Sequence, residues 1–264
     1  MSPTTCIEDA LARHGSAVLS FSGGKDSVAV LHHCRQFADR ITVVFCDMGD
    51  LFPHTRPYVE RLADLWDFKL EVVESEPPRY ALPSDIVPTW STPFAGWFLP
   101  EESKPRTQII SGIDCCNATL WQPLDKAIKE MGATLVFRGS KGTDEHISVP
   151  TGTVIDGIEY VNPLWEWTDT QVYWYLQDNA IELPMQYQAG VNHSLDCMRC
   201  TAWLSTEAEV QRLEFTKRYY PVAFEQLQDR MRLVLAETQR RSEELAPALE
   251  SLFPVESSTS PTID

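Results

Sequence analysis

The sequence predicts an α/β fold, a doubly wound and mostly parallel sheet with a C-terminal helical extension. Short apolar, β-branched runs alternate with helical patterns over the first third of the chain, and the connections are short, which is typical of a parallel sheet with right-handed crossovers. Polar motifs directly follow the first two predicted strands, where such sheets bind ligands. The 264 residues are 43% hydrophobic, enough for one domain with a sizeable core.

The N-terminal half supplies the clearest elements. A buried strand at 18–21 leads through a glycine pair into a helix at 26–37 whose apolar residues share one face. The pattern then predicts a strand at 41–46, a helix at 57–66 and a strand at 70–74.

The pattern is interrupted at 77–105, which contains seven prolines. This segment is predicted to be a long packed loop, with a substrate lid or partner-docking surface as the alternative. Beyond it we expect a helix at 116–131, a strand at 134–137, a strand pair at 154–160, and a helix at 169–177 with Thr168 as its N-cap.

These elements give three predicted regions. Residues 1–205 form the α/β domain, residues 206–253 form the charged helical extension, and the Ser/Thr/Pro-rich residues 254–264 form a disordered tail.

The net charge and the N-terminal sequence bear on the binding partners and the cellular compartment of the protein. With 38 acidic and 22 basic residues, the net charge of −16 repels a phosphate backbone, so nucleic acid is expected to be engaged through a separate subunit. No signal peptide or membrane-spanning run is recognisable, which predicts a cytoplasmic protein without membrane contact. The seven cysteines are then expected to be thiols, metal ligands or catalysts rather than disulfides.

The stretch Ser22-Gly23-Gly24-Lys25-Asp26-Ser27 lies between the first strand and its helix. Backbone N–H groups of a glycine-rich turn at a helix N-terminus bind anions, and the lysine adds a full positive charge. The spacing differs from the P-loop of kinase-like NTPases.

This stretch resembles the PP-loop of ATP pyrophosphatases, which have the adenine nucleotide alpha-hydrolase-like fold and cleave ATP between its α and β phosphates. The resemblance implies ATP and Mg²⁺ as ligands, with Lys25, Asp26 and Ser27 in catalytic roles. It also implies that Asp47 and Gly49, after the second strand, lie near adenine and ribose; Asp47 as a plain strand-end cap is the alternative. The residues implied to contact the pyrophosphate are Ser22, Gly23, Gly24, Lys25, Asp26 and Ser27.

Two cysteine pairs, Cys115-Cys116 and Cys197-x-x-Cys200, form a separate pattern. Soft sulfur ligands in two close pairs favour a [4Fe-4S] cluster. Zinc or unligated core thiols are the alternatives.

The order of these motifs over residues 15 to 205 is similar to the assimilatory sulfonucleotide reductases, as shown by the runs CCNATLWQPLD, FRGSKGTDEHIS and SLDCMRCTAW. The resemblance implies that the cysteine quartet holds a [4Fe-4S] cluster. It also implies that Arg138 or Lys141, in the segment with Gly139, reaches the nucleotide.

Two departures change the expected reaction. Reductases of this family carry a nucleophilic cysteine near the C-terminus, whereas no cysteine follows Cys200 here, and their phosphate loop is degenerate, whereas SGGKDS is intact. The chain is therefore also similar to DndC- and SspD-type DNA phosphorothioation proteins and, more distantly, to cluster-containing tRNA thiolases. This resemblance implies that ATP cleavage adenylylates an acceptor for sulfur transfer, with a cysteine desulfurase or other sulfur donor as partner; a homodimer is compatible with it.

Two alternatives stay open. One is a sulfonucleotide reductase that uses an external thiol; the other is a non-catalytic nucleotide-binding subunit. Among residues with weaker claims, Cys46 is predicted to be a core residue rather than a persulfide carrier. His146 and His193 are predicted to have an ordinary surface or hydrogen-bonding role, with contact to phosphate or to the surroundings of the cluster as the alternative.

Overall fold

The computed structural model describes residues 2–75, 87–88, 109–110, 112–144, 149–195, 197–201 and 207–252. The strands are β1 (Ala17–Ser20), β2 (Ile41–Asp47), β3 (Lys69–Glu74), β4 (Val87–Pro88), β5 (Ile109–Ile110), β6 (Leu135–Phe137), β7 (Thr153–Ile155) and β8 (Ile158–Val161). The helices are α1 (Pro3–His14), α2 (Lys25–Cys34), α3 (Thr55–Leu65), α4 (Gly112–Cys116), α5 (Gln122–Glu130), α6 (Asp169–Asp178), α7 (Met185–Gln188), α8 (Glu207–Tyr219) and α9 (Pro221–Leu252).

The main sheet has six strands in the order β3-β2-β1-β6-β8-β7. All neighbouring pairs are parallel except β7 and β8, which form an antiparallel hairpin at the edge. The order changes direction at β1, whose neighbours are β2 and β6. This arrangement confirms the predicted α/β fold, and it places the carboxyl ends of β1 and β6 side by side, where ligands bind in such sheets.

Two apolar clusters cover the faces of this sheet. Successive residues of β1 point to opposite faces of the sheet: Leu19 packs in the cluster with α1, α2 and α3, whereas Val18 packs in the cluster with α5. The helical layers therefore lie on both faces, as the near-continuous apolar runs of β1 and β2 require.

Most predicted elements are observed with shifted ends. The helix predicted at 26–37 ends at Cys34 and continues as a 3₁₀ segment, Arg35–Arg40, whose Phe37 has non-helical angles. Helix α1 is not among the predicted elements, although Ser2 caps it and Pro3 stands at its first position. The N-cap Thr168 of α6 is observed, and Gln171 completes a capping box with it.

The helix predicted at 116–131 consists of three segments. The helix α4 ends at Cys116, a π-helical turn covers Asn117–Trp121, and α5 follows. Such π turns are frequent at functional sites. Here the π-helical turn begins directly after Cys115 and Cys116, so both cysteines lie where the regular α-helical geometry of α4 ends.

The C-terminal region forms two helices, and Pro221 begins the second. Phe215 of α8 packs into a small cluster with Phe52, Val191 and Leu195, so α8 contacts the α/β part directly. The proline-rich segment 77–105, apart from residues 87–88, and the tail 254–264 lie outside the described residues. Among the helices of the described part, none combines the length and the apolar character that a membrane crossing requires.

Candidate functional site

The glycine-rich stretch forms a tight turn between β1 and α2. Gly23 has a φ of +75°, and a Cβ there would lie 3.2 Å from Cγ2 of Val59, so both the backbone angle and the space favour glycine. The Gly24 amide donates to Oγ of Ser22 over 3.3 Å, and Oγ of Ser27 donates to the Gly24 carbonyl over 2.9 Å. These bonds fix the turn at the N-terminus of α2, where unsatisfied N–H groups favour anions.

Two lysines meet beside this turn. Nζ of Lys25 lies 2.7 Å from Oδ2 of Asp26, and Nζ of Lys141 lies 2.9 Å from Oδ1 of the same carboxylate. Both side chains are almost fully buried, with 6% and 4% of their surface exposed. Burial alone lowers the pKa of Lys141, but hydrogen bonds with Asp144 and Asp26 outweigh it and raise the pKa. The ammonium of Lys141 therefore stays charged.

A third carboxylate closes this group. Oδ1 of Asp169, the first residue of α6, lies 3.0 Å from Nζ of Lys25 and 3.2 Å from Nζ of Lys141. Burial alone raises the pKa of Asp169, but hydrogen bonds and charge from Lys25 and Lys141 reverse the effect and lower it. We call Lys25, Asp26, Lys141, Asp144 and Asp169 the lysine–aspartate group.

Gly139 brings the strand β6 against the phosphate-type loop. A Cβ at this position would lie 2.6 Å from the backbone nitrogen of Ser27 and 2.9 Å from the carbonyl carbon of Asp26. Both are backbone atoms that cannot swing aside, so only glycine allows this approach. The contact is what places Lys141, two residues later, beside Asp26.

Arg138 and Lys141, the two candidates for reaching a nucleotide, point to different places. The guanidinium of Arg138 lies 4.3 Å from the centre of the Tyr160 ring, and burial lowers its pKa. Tyr160 belongs to the apolar cluster packed with α5, whereas Lys141 contacts Asp26 in the loop. The structure thus brings Lys141 together with the loop and does not bring Arg138 there.

Asp47 and Gly49 form a local turn after β2. Oδ1 of Asp47 accepts from the Gly49 amide over 2.9 Å, and its Oδ2 lies 3.0 Å from Nη1 of Arg56. Gly49 has a φ of +71°. Asp47 acts as a turn-forming group in these contacts, and its predicted place near adenine and ribose stays a prediction.

The two cysteine pairs lie on separate segments that approach each other. Cys115 and Cys116 end α4, while Cys197 and Cys200 lie in a loop that bridges to Leu51 after β2. Burial raises the pKa of Cys115, and the charge of Cys200 adds to the rise. In the described part of the chain, no three His, Cys, Asp or Glu side chains are arranged to hold a metal ion.

Charged residues hold the loop that carries Cys197 and Cys200. Nε of Arg199 donates to Oδ1 of Asp50 over 2.6 Å, and Arg230 of α9 donates to the Arg199 carbonyl over 2.6 Å. Arg212 of α8 donates to the Cys197 carbonyl. Asp50, Arg212 and Arg230 are not predicted from the sequence, because a charged residue in a turn or a helix gives no signal of what it contacts far along the chain. The last two helices therefore fix the cysteine loop.

Two of the three weaker candidates can be described. Cys46 is 4% exposed, and burial raises the pKa of its thiol to about 11, which disfavours a reactive thiolate. The pKa of His193 is lowered by burial and by Arg212, and its Nε2 is buried without a hydrogen-bond partner among the described residues, contrary to the predicted ordinary hydrogen bonding. His146 lies outside the described residues.

Two further residues near the loop were not predicted. The Lys25 amide donates to Oη of Tyr187 over 3.1 Å, and the ring of Tyr173 lies 6.4 Å from that of Tyr187. Asp144 and Asp169 were also missed as parts of the group, although Asp169 was recognisable as the first residue of a capped helix.

Comparison with known proteins gives a consistent result. The family model described as the phosphoadenosine phosphosulfate reductase domain matches residues 16–203. A phosphoadenosine 5'-phosphosulfate reductase of Escherichia coli O157:H7 (strain EC4115 / EHEC) is 27% identical over 179 residues, 67% of this chain and 67% of the relative. The corresponding protein of Shigella dysenteriae serotype 1 (strain Sd197) is 25% identical over 198 residues, 74% and 75% of the two chains.

A solved structure is similar in fold. It is the phosphoadenylyl-sulfate reductase from Candida auris in a phosphate complex, with a TM-score of 0.54 and 20% identity. The superposition covers 78% of this chain and 90% of that one.

Proposed function

Because the chain belongs to the phosphoadenosine phosphosulfate reductase domain family, we propose that it is a sulfonucleotide reductase that takes its thiol from a partner. The substrate class is an adenylyl sulfate, with or without a 3'-phosphate. Its products are sulfite and the corresponding adenine nucleotide.

One observation carries the proposal: two buried ammonium groups, those of Lys25 and Lys141, converge at the N-terminus of α2. Buried cations next to helix N-terminal N–H groups form a strong site for an anion, since the surrounding dielectric is low. The phosphate–sulfate linkage of an adenylyl sulfate carries its negative charges close together. Both ammonium groups can therefore contact it at the same time. Gly139 permits the close approach of the segment after β6 to the first turn of α2, which makes the site.

The reductive step needs a thiol from outside the described site. Residues 201–264 contain no cysteine. An external thiolate attacks the sulfate sulfur, the bond from sulfur to the bridging oxygen breaks, and the nucleotide leaves with that electron pair. The donor is now joined to the sulfonate group through the sulfur of its first thiol. The second thiol of the same donor attacks that thiol sulfur, which forms the donor disulfide and releases sulfite. The donor dithiol is oxidised by two electrons and the sulfur is reduced by two.

The cysteines have the donor chemistry of a soft-metal site, and we propose that Cys115, Cys116, Cys197 and Cys200 would hold a [4Fe-4S] cluster, although the described side chains do not gather three such ligands around one point. Supporting this are four thiol donors in two pairs, one at the end of α4 and one in the loop that bridges to Leu51. A single zinc ion fits less well, because two adjacent cysteines strain one tetrahedral site. If bound by these cysteines, a cluster would supply a compact charged centre, held by α4 and by the loop that contacts α8 and α9.

A second candidate, ATP cleavage to AMP and pyrophosphate, is favoured by one specific observation. The stretch Ser22–Ser27 is intact and both of its serine hydroxyls lie at the turn, with their Oγ atoms 3.1 Å apart. In that reaction a bound Mg²⁺ would offset the charge of the leaving pyrophosphate. A cysteine desulfurase or other donor then supplies sulfur, and a separate subunit presents any nucleic-acid acceptor, since the chain is acidic.

One experiment separates the two reactions. Protein purified without oxygen is incubated with an adenylyl sulfate and a dithiol, with sulfite measured, and separately with ATP and Mg²⁺, with pyrophosphate measured. The variant Lys25→Ala removes an ammonium from the site, and Lys126→Ala serves as a matched control, because Lys126 is an exposed residue paired with Glu130 on α5.

The proposal predicts sulfite release that Lys25→Ala lowers at least about a hundredfold, the range typical for loss of a charge-stabilising group, and that Lys126→Ala leaves intact. Pyrophosphate release from ATP with the same sensitivity selects the second candidate. Sulfite release that is unchanged in Lys25→Ala contradicts the assignment of the site. Iron and acid-labile sulfide analysis of the wild type and of Cys200→Ser tests the cluster independently of activity.

A further inference from the structure

The carboxylate of Asp169 has an unusual position in the lysine–aspartate group. One atom, Oδ1, contacts both ammoniums, at 3.0 Å from Nζ of Lys25 and 3.2 Å from Nζ of Lys141. Its side chain is 62% exposed, whereas those of the lysines are 6% and 4% exposed. The carboxylate therefore lies between the two ammoniums and solvent, where an incoming anion has to arrive.

The charges of the group show that an added anion has to displace one of its members. Two ammoniums face three carboxylates, those of Asp26, Asp144 and Asp169, and this leaves a net charge of minus one. An anion with two or more charges is repelled by such a group unless one carboxylate withdraws.

Asp169 is the carboxylate best placed to withdraw. Asp26 belongs to the loop itself, and Asp144 also accepts from the backbone amide of Lys141 over 2.8 Å, which ties it to its own turn. Asp169 makes its contacts from the exposed first turn of α6, where its side chain reaches solvent by rotation alone.

The backbone donor of Lys25 has a similar internal partner. Its amide donates to Oη of Tyr187 over 3.1 Å, and a Cβ on Gly24 would lie 3.4 Å from that oxygen. Burial raises the pKa of Tyr187, so the phenol stays protonated. The Asp169 carboxylate thus occupies the two ammonium donors of the site, and the Tyr187 phenol oxygen occupies the backbone N–H of Lys25.

We propose that Asp169 is an internal competitor of the ligand: its carboxylate holds the anion position on Lys25 and Lys141 and is displaced when a phosphate or sulfate group binds. The residue thereby sets the affinity of the site and selects ligands charged strongly enough to displace it. This inference rests on the proposed function in that both need an anion on the two lysines, but it does not need catalysis.

The test measures binding of inorganic pyrophosphate by titration calorimetry, without Mg²⁺, to the wild type, Asp169→Asn and Asp178→Asn. The first substitution keeps the size of the side chain, because an amide replaces the carboxylate, and removes the competing charge. Asp178 is an exposed carboxylate at the other end of α6, so its variant reports the effect of net charge alone. Asp169→Ser, which keeps a polar group at the helix start, replaces Asp169→Asn where thermal unfolding shows that the amide variant is not folded.

Asp169→Asn is expected to bind pyrophosphate about three- to tenfold more tightly than the wild type, the range for losing two partly exposed ion pairs that compete with the ligand. Asp178→Asn is expected to change the affinity less than about twofold, since its charge is remote from the lysines and screened by solvent. Weaker or equal binding in Asp169→Asn overturns the proposal, and so does an equal gain in Asp178→Asn. No binding of pyrophosphate by any of the proteins also overturns it, because the lysines then do not receive an anion.

The outcome for the proposed function is read separately. Tighter pyrophosphate binding by Asp169→Asn together with the absence of sulfite release from an adenylyl sulfate supports the competitor and rejects the reductase. Sulfite release by the wild type, together with pyrophosphate binding that is no tighter in Asp169→Asn, supports the reductase and rejects the role of Asp169 as a competitor.

Discussion

At the scale of single residues, Gly139 couples the fold to the candidate site. The space for its Cβ is taken by the backbone of Ser27, 2.6 Å away, and of Asp26. A side chain here forces β6 and the loop apart, and Lys141 then loses its contact with Asp26, which is 2.9 Å long. The same residue thus limits both packing and anion binding.

Gly139→Ala is expected to lower the free energy of unfolding by about 1–3 kcal/mol, as overpacking of a tight site does, and to abolish pyrophosphate binding. Urea unfolding and calorimetry measure the two effects. Gly132→Ala is the matched control before the other end of β6: its φ of +66° makes alanine strained, but among the described residues, its chain neighbours apart, no atom lies within 4 Å of the added Cβ. The control should lose some stability and keep binding. Normal binding in Gly139→Ala would show that the strand contact does not shape the site.

At the scale of elements, the start of α6 positions the exposed member of the lysine–aspartate group. Oγ1 of Thr168 accepts from the Gln171 amide over 3.3 Å, and the Thr168 amide donates to Oε1 of Gln171 over 2.8 Å. This capping box fixes the first turn, and Asp169 is the next residue.

Thr168→Ala is expected to lower the free energy of unfolding by about 1 kcal/mol, the usual cost of a lost N-cap. It should also tighten pyrophosphate binding slightly, because a frayed first turn holds Asp169 less firmly against the lysines. Thr170→Ala, at an exposed position in the same turn, is the control. Equal stability of Thr168→Ala and Thr170→Ala in chemical denaturation would show that the cap contributes nothing.

The C-terminal helices act on the loop of the second cysteine pair. Arg230 donates to the Arg199 carbonyl and lies 4.0 Å from Asp50, whose own carbonyl accepts from the Met198 amide over 2.6 Å. The loop is therefore held at its backbone by charges from α9.

Arg230→Met should expose the Met198 amide to solvent more often, with hydrogen exchange about tenfold faster, the equivalent of one lost charged hydrogen bond. Exchange measured by mass spectrometry or NMR gives the rate. Arg232→Met is the control, since Arg232 is exposed and pairs with Asp229 on the surface of α9. Similar protection in both variants would contradict a role of α9 in holding the loop.

At the scale of the whole molecule, two histidines of α2, the buried His32 and the partly buried His33, make the free energy of unfolding depend on pH. Burial lowers the pKa of His32 to about 4, and burial with the neighbouring His32 and Arg35 lowers that of His33 to about 4. The ring of His33 stacks on Tyr175 at 4.2 Å, between α2 and α6. Both histidines are therefore neutral in the folded chain at neutral pH.

In the unfolded chain both imidazoles bind a proton near the ordinary pKa of 6.5, whereas in the folded chain they do so only near pH 4. The histidines therefore contribute fully to the free energy of unfolding above about pH 6.5, and this contribution is lost as the pH falls toward 4. We expect the free energy of unfolding to fall by about 2 kcal/mol for each of the two histidines between about pH 7 and pH 5. Urea unfolding at both pH values measures it. The double variant His32→Asn/His33→Asn should be less stable at neutral pH but lose less on acidification; an unchanged pH dependence would exclude the histidines as its source.

The sequence predicted the parts of the site that are local in the chain. The strand, turn and helix around Ser22–Ser27 follow from the glycine pair and the apolar pattern, and the cap at Thr168 follows from its residue type. The meeting of Asp26 with Lys141 does not, because they are 115 positions apart and meet only through the order of β1 and β6 in the sheet. The contacts of Arg212 and Arg230 with the cysteine loop likewise depend on how α8 and α9 pack, which no periodic pattern reports.

A structure of the protein bound to an adenylyl sulfate tests the central claim most directly. We predict that phosphate or sulfate oxygens lie within hydrogen-bond distance of both Lys25 and Lys141, and that the carboxylate of Asp169 has moved off the two ammoniums. A nucleotide bound elsewhere, with Oδ1 of Asp169 still on both lysines, would contradict the account.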